Sequence, residues 1–486
     1  MIRIEFLKCL DVVAVSVYEF PFNKVKRDSR IIIYGAGTVG QEYLHQVTLT
    51  QYCKIVCMVD KNFERYQGLS CTVTCINELS SLTYDMIVIA NESSTVANTI
   101  RDLLINEYNV DIEKIVYEKH YVQPTPVVSD VENFLSEDEL AFSKLEKYPI
   151  AVNLNGGIGD YIVRKKNIVE LASWDSSVLI DIYVNQGSCE FAKNLFSDVL
   201  NINKIIDTNS QYYALKFKYL AAFYFDVMLR IDFLNEKVFC AIPLTLRKKL
   251  EEVHKSCLEY GLESGGLLYA IHYARCEKDG LNCYTSYNRY GAFHVDGYKV
   301  AIPLLTEFQD RFQKLNLGCY ITLNYGWDKS SGHLEPSAKV WPLKYFSELA
   351  KLIKEKFPNV NVIQIGTENS EKIDRCDRYI LGEDIETVKY VLKNSLLHID
   401  SEGGLVHIAT QFDTKCIVMF GPTPSAYYGY NTNMNLVSSK CNNCYWFVTD
   451  CISCYKKMDQ PECMYSISPS MVMDKVKEVL NKRLEK

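Results

Sequence analysis

Three times along this chain a short apolar run empties into a glycine-rich turn and then into a helical pattern. The runs are RIIIYGAGTVG from Arg30, PIAVNLNGGIGD from Pro149 and SLLHIDSEGGLVHIAT from Ser395. Further apolar strands are readable at KIVCMVD, DMIVIAN, SVLIDIYVN, GCYITLNYG, NVNVIQIG and KCIVMFGPT, with helical segments between them. Strands that alternate with helices imply parallel sheets covered on both faces. At 486 residues the chain is too long for one core, so the repeated signal predicts two or three α/β domains.

Boundaries follow from composition. The first unit covers residues 1–125. A linker over 126–148 follows, in a stretch that is rich in acids and proline from Tyr121 onward (YVQPTPVVSDVENFLSED). The second unit spans 149–317 and the third 318–486. Between Asn209 and Tyr298 the pattern is mixed and predicts little. One helix in the third unit is well marked. Pro342 suits its first turn, Phe346, Leu349, Ala350, Ile353 and Phe357 make one apolar stripe, and Pro358 follows its end. Ser468 and Pro469 read as the N-cap and first turn of a last helix reaching about Leu480.

A formal net charge of -7 gives no basis for binding nucleic acid, whose phosphates call for clustered Lys and Arg. No window approaches the roughly 20 apolar residues of a bilayer span. Lys8, Asp11 and Glu19 interrupt the start of the chain, so no signal peptide is expected and the location predicted is cytoplasmic. The thiols are then expected to be reduced.

Each turn carries chemistry. In GAGTVG, Gly35, Gly37 and Gly40 allow a pyrophosphate to approach a helix start. Asp60, 20 residues after Gly40 at the next strand end, suits a ribose hydroxyl. NAD(P) or another nucleotide would fit such a turn, as would a Rossmann-like fold that uses the site otherwise. In NGGIGD, Gly156, Gly157 and Gly159 bring backbone close to a ligand and place Asp160 at a helix head. There it could act as a general base or only cap the helix. In EGGLVH, Gly403 and Gly404 leave free N–H groups at the positive end of a helix for a diphosphate, with Glu402 before them and His407 one turn in. Lys339 could neutralise a phosphate or be a surface charge.

Near the C-terminus, Cys441, Cys444, Cys451, Cys454 and Cys463 fall within 23 residues, where 18 in 486 predicts about one. Two Cys-x-x-Cys pairs have the spacing of metal chelation, with four of the five as ligands and Cys451 competing for a place. Zinc and iron both suit four sulfurs, and packed free thiols are the alternative.

From Asn153 onward, NGGIGD, AKVWPLKYFSELAKLI, VIQIGTENSE, ILGEDIETVKYVLKNSLLHIDSEGGLVHIAT, KCIVMFGPT and the cysteine segment occur in an order that resembles glycosyltransferase family 9. This is the ADP-heptose:lipopolysaccharide heptosyltransferase family, and the cysteines resemble its autotransporter heptosyltransferase branch. The resemblance implies a GT-B fold of two Rossmann-like lobes, here preceded by an additional Rossmann-like α/β domain. It implies Asp160 as catalytic base, and Lys339, Glu368, Glu402, Gly403, Gly404 and His407 on a nucleotide-sugar donor. Many members have an aspartate and a serine or threonine where this chain has Glu402 and Gly403. No catalytic metal is implied, and the acceptor would be a surface glycan, a lipid-linked glycan or a protein. The oligomeric state is left open. Two competing readings are an NAD-dependent sugar-modifying enzyme, or a bifunctional one, acting through the first domain, and a non-catalytic sugar-binding subunit. Against the first, residues 30–125 hold no Tyr-x-x-x-Lys pattern.

Overall fold

The computed structural model describes residues 17–18, 20–21, 24–26, 28–50, 53–66, 68–117, 121–122, 147–207, 212, 215–260, 268–327, 336–445 and 454–484. The chain divides into two units, the smaller holding the N-terminal segment and the larger nearly all the rest.

In the smaller unit, β1 (Arg30–Tyr34), β2 (Lys54–Val59), β3 (Val73–Thr74), β4 (Met86–Ile89) and β5 (Ile115–Val116) form a sheet of order β3-β2-β1-β4-β5. All its pairings are parallel. Helices α1 (Thr38–Thr50) and α2 (Ser94–Asn106) make crossovers, as parallel strands require. Ile31, Ile32 and Ile33 are fully buried, as are Ile87, Val88 and Ile89, because a parallel sheet is covered on both faces. Helix Leu268–Lys278 also belongs to this unit and packs on α1, although its sequence lies inside the 149–317 segment.

The larger unit has two α/β lobes, as expected for this architecture. In the first, β6 (Tyr148–Leu154), β7 (Val178–Tyr183), β8 (Ile202–Ile206), β9 (Ala221–Phe225) and β10 (Leu229–Leu234) are ordered β8-β7-β6-β9-β10. The β9–β10 pairing is antiparallel and the others are parallel. Helix α3 (Ile158–Ser173) follows β6.

The second lobe has six parallel strands: β11 (Tyr320–Asn324), β12 (Asn361–Gly366), β13 (Arg378–Leu381), β14 (His398–Ser401), β15 (Cys416–Phe420) and β16 (Met434–Val437), ordered β13-β12-β11-β14-β15-β16. Its helices include α4 (Leu343–Lys356), α5 (Ile385–Asn394), α6 (Gly404–Gln411) and α7 (Pro469–Leu484). Pro342 is the N-cap of α4, one residue before the expected place. The stripe on α4 is buried, and α7 packs on it through Val472, Val476 and Leu480. Each such buried side chain contributes about 1.5–3 kcal/mol. Ser468 caps α7 by accepting from Met471 N–H at 3.3 Å.

Candidate active site

Beyond the carboxyl end of β6, the chain turns through Asn155–Gly157 and enters α3. Gly156 has φ +105, and a Cβ there would lie 2.3 Å from Asp160 Oδ2. Only glycine allows the carboxylate to fold back over this turn. Asp160 Oδ2 accepts the Gly157 N–H at 2.8 Å, which caps the helix. That contact uses one oxygen. The other has no hydrogen-bond partner among the described residues, so Asp160 can cap and still take a proton. Burial raises its pKa above the ordinary carboxylate value. The Gly157 amide opposes this, Asp226 adds to it, and Arg164 and His407 oppose it.

The second lobe brings its own glycine turn against this one. A Cβ on Gly404 would lie 3.2 Å from Gly159 N, and a Cβ on Gly159 would lie 2.8 Å from His407 Cδ2 and 3.2 Å from Gly404 Cα. The starts of α3 and α6 therefore meet backbone to backbone. Two helix N-termini, each carrying about half a positive charge, converge there and favour an anionic ligand. Gly403 is extended at φ -179, and a Cβ there would meet only Ser401 O at 3.9 Å.

His407 is buried. Burial is the main force lowering its pKa to about 4, Asp160 opposes it and Lys339 adds to it, so the ring is neutral at pH 7. A hydrogen-bond chain runs to its Nδ1. Val300 N–H donates to Gln411 Oε1 at 3.0 Å, which orients the amide, and Gln411 Nε2 donates to Tyr284 Oη at 3.0 Å. The Tyr284 and Tyr430 hydroxyls share a hydrogen bond at 2.7 Å, and the Tyr430 hydroxyl is paired with His407 Nδ1. His407 Nε2 lies 3.9 Å from Glu402 Oε1.

Lys339 approaches from the turn before α4, where Trp341 is anchored by its N–H to Ser401 Oγ at 2.9 Å and its indole N–H to Ile467 O at 2.8 Å. Its Nζ lies 3.8 Å from Glu402 Oε2 and 5.6 Å from the Tyr445 ring centroid. Burial pulls its pKa down, but Glu402, Tyr445 and Asp160 outweigh that, so Lys339 stays charged. Glu368 is exposed beyond the carboxyl end of β12, on the edge where parallel sheets bind ligands. It makes no contact with Lys339 or Glu402 among the described residues.

On the first lobe, Asn185 Nδ2 donates to Gly156 O at 2.7 Å and Asn155 Nδ2 to Tyr224 Oη at 2.8 Å. The Arg230 guanidinium stacks 4.4 Å over Tyr224. Arg164, one turn after Asp160, is buried and donates to Asn167 Oδ1, Cys283 O, Ser286 Oγ and Val227 O. Sequence reasoning missed these residues and the Tyr284–Tyr430 chain. Only the i, i+4 spacing of Arg164 from Asp160 was a signal.

In the smaller unit, a Cβ on Gly35 would lie 2.5 Å from Ala90 O, and one on Gly40 would lie 1.9 Å from Gly35 O, so both are glycine for packing. Gly37 has no neighbour nearer than Tyr66 Oη at 4.0 Å, so this face of the turn is open. Asp60 accepts from Ala36 N–H at 2.9 Å and Asn62 N–H at 2.8 Å, so a ribose hydroxyl would have to share oxygens that brace the turn.

Cys441, Cys444, Cys454 and Cys463 come together: the other three thiols are among the causes that raise Cys463 to about 12, after burial, and Cys441 and Cys454 act likewise on Cys444, at about 11. Among the described residues no group of three or more potential ligands has metal-holding geometry, and Cys451 lies outside them.

Residues 330–456, which include Lys339, Glu402 and His407, match the family model for glycosyltransferase family 9 (heptosyltransferase). The chain carries a glycosyltransferase family 9 domain. Residues 27–116 match the model described as C2185-like, N-terminal. No curated protein matches the chain. Among solved structures, E. coli ADP-heptose LPS heptosyltransferase II is 14% identical over 69% of this chain and 99% of its own, with a TM-score of 0.43. The family 9 glycosyltransferase from Veillonella parvula is 12% identical over 70% and 99%, with a TM-score of 0.43. TibC from enterotoxigenic E. coli, an iron-containing dodecameric glycosyltransferase, is 12% identical over 71% and 81%, with a TM-score of 0.46. Among the described residues, no helix is long and apolar enough to cross a membrane.

Proposed function

We propose that the chain transfers a sugar from a nucleotide-diphosphate donor to a hydroxyl group, with Asp160 as general base. The observation that carries this reading is the meeting of the Asp160 turn with the Gly403–Gly404 turn, which puts a carboxylate of raised pKa beside a cationic anion site. The acceptor hydroxyl gives its proton to Asp160 while its oxygen bonds to the sugar's anomeric carbon. The bond from that carbon to the diphosphate breaks, and its electron pair leaves with the diphosphate. Lys339 and the α6 N-terminus stabilise that charge. Glu402 and His407 Nε2 lie together, 3.9 Å apart, and suit sugar hydroxyls. The acceptor is a glycan or a protein, bound on the lobe of Asn155, Tyr224 and Arg230. The heptose donor is the family's, with Glu402 and Gly403 altering its contacts.

The four thiols are proposed as a structural site for zinc or iron that fastens the segment after β16 and takes no part in transfer. Nucleotide binding at Gly37 is kept as a separate proposal for the smaller unit.

A panel of nucleotide-sugars incubated with the purified chain, followed by assay of released nucleoside diphosphate, tests the transfer reading. Release from one donor that is stimulated by a glycan or protein acceptor is the expected result. Binding without release under every acceptor would favour a sugar-binding subunit.

A further inference from the structure

The cysteine segment does more than follow the second lobe. Asn443 N–H donates to Gly421 O at 3.3 Å and Tyr445 N–H to Pro422 O at 3.0 Å, so the segment is laid in register along the turn after β15. Cys463 packs under the same turn: a Cβ on Gly421 would lie 3.2 Å from its Sγ and 2.6 Å from Met464 Sδ. The last described residue of this stretch, Tyr445, is delivered with its ring 5.6 Å from the Lys339 ammonium. The same ammonium lies 3.8 Å from Glu402 at the start of α6.

An aromatic face attracts a cation and, unlike a carboxylate, adds no negative charge beside an incoming anion. Lys339 has a long flexible stem, and a lysine held in one place loses less entropy when it meets a phosphate. We propose that Tyr445 is a positioning residue of the donor site, supplied by the cysteine segment, which holds Lys339 for the diphosphate of the donor. The inference rests on the transfer reading above and assigns the cysteine segment a share in nucleotide binding.

The test is calorimetric titration of the full chain with ADP, GDP, CDP and UDP, then of Tyr445→Leu and Tyr445→Phe with whichever diphosphate the wild type binds and with its monophosphate. Tyr445→Leu is expected to weaken the diphosphate by roughly 2- to 30-fold, the range of a cation–π contact. The monophosphate should change much less, and Tyr445→Phe, which keeps the ring, should restore most of the affinity. Unchanged diphosphate affinity in Tyr445→Leu overturns the proposal. So does equal loss of monophosphate and diphosphate, or a Phe variant as weak as Leu. A wild-type chain that binds none of the four diphosphates overturns the donor reading itself, a result distinct from failure of Tyr445 alone.

Discussion

At the scale of single residues, the site turns on which glycines are needed and why. Gly159 has Gly404 backbone and the His407 ring within 3.2 Å of where a Cβ would go, whereas Gly403 is extended and open. Gly159→Ala should therefore part the two turns. Overpacking costs about 1–3 kcal/mol, against which helix propensity offsets up to about 1 kcal/mol, so a net loss of stability and of turnover is expected. Gly403→Ser should leave stability within about 0.5 kcal/mol. Thermal melting and turnover of both variants check the pair; equal damage from both would contradict the geometry. Sequence made Asp160, Lys339 and the glycines of both turns visible, because each lies in a local pattern. Tyr284, Tyr430 and Arg230 stayed hidden, because their roles come from contacts between residues far apart in the chain. Asp60 was visible as a strand-end acid, yet its position could not reveal that two backbone amides already use it.

At the scale of elements, α3 and α6 form the joint of the two lobes, and His407 is its buried centre. Its folded pKa, at about 4, lies below the unfolded value of about 6.5. The unfolded chain therefore takes up this proton first as pH falls. The stability that His407 contributes is complete above about pH 6.5 and is lost progressively down to about pH 4. Its size is a few kcal/mol at most. Melting temperature should fall over that window, and a His407→Gln variant should lose less than the wild type. A parallel decline in the two would place the acid sensitivity elsewhere. Strand and helix positions were legible where apolar runs met glycine or proline, as at β6, β14 and α4. The β9–β10 hairpin was not, since AAFYF and LRIDFL lie in a stretch of mixed aromatic and charged residues.

At the scale of the whole molecule, the larger unit holds both turns of the proposed transfer site in its two lobes, with Asn443 and Tyr445 of the cysteine segment bonded to the second. If the thiols hold a metal, elemental analysis of the purified chain should find roughly one zinc or iron per chain, reduced by Cys441→Ser with Cys444→Ser. Metal-free protein of unchanged stability would leave packed thiols as the correct reading. The parallel sheets were foreseeable from the repeated strand–turn–helix signal. The placing of helix Leu268–Lys278 with the smaller unit was not, because a helix carries no local mark of which sheet it will cover. Whether Asp160 is the base is decided by comparing transfer rate with donor affinity in Asp160→Asn. Asparagine keeps the helix cap but cannot take the acceptor's proton. Donor affinity is expected to stay close to wild type and transfer to slow by roughly 10²- to 10⁴-fold, and, in the wild type only, the rate should rise with pH through a midpoint above the ordinary aspartate value. Unchanged transfer in Asp160→Asn would contradict that role.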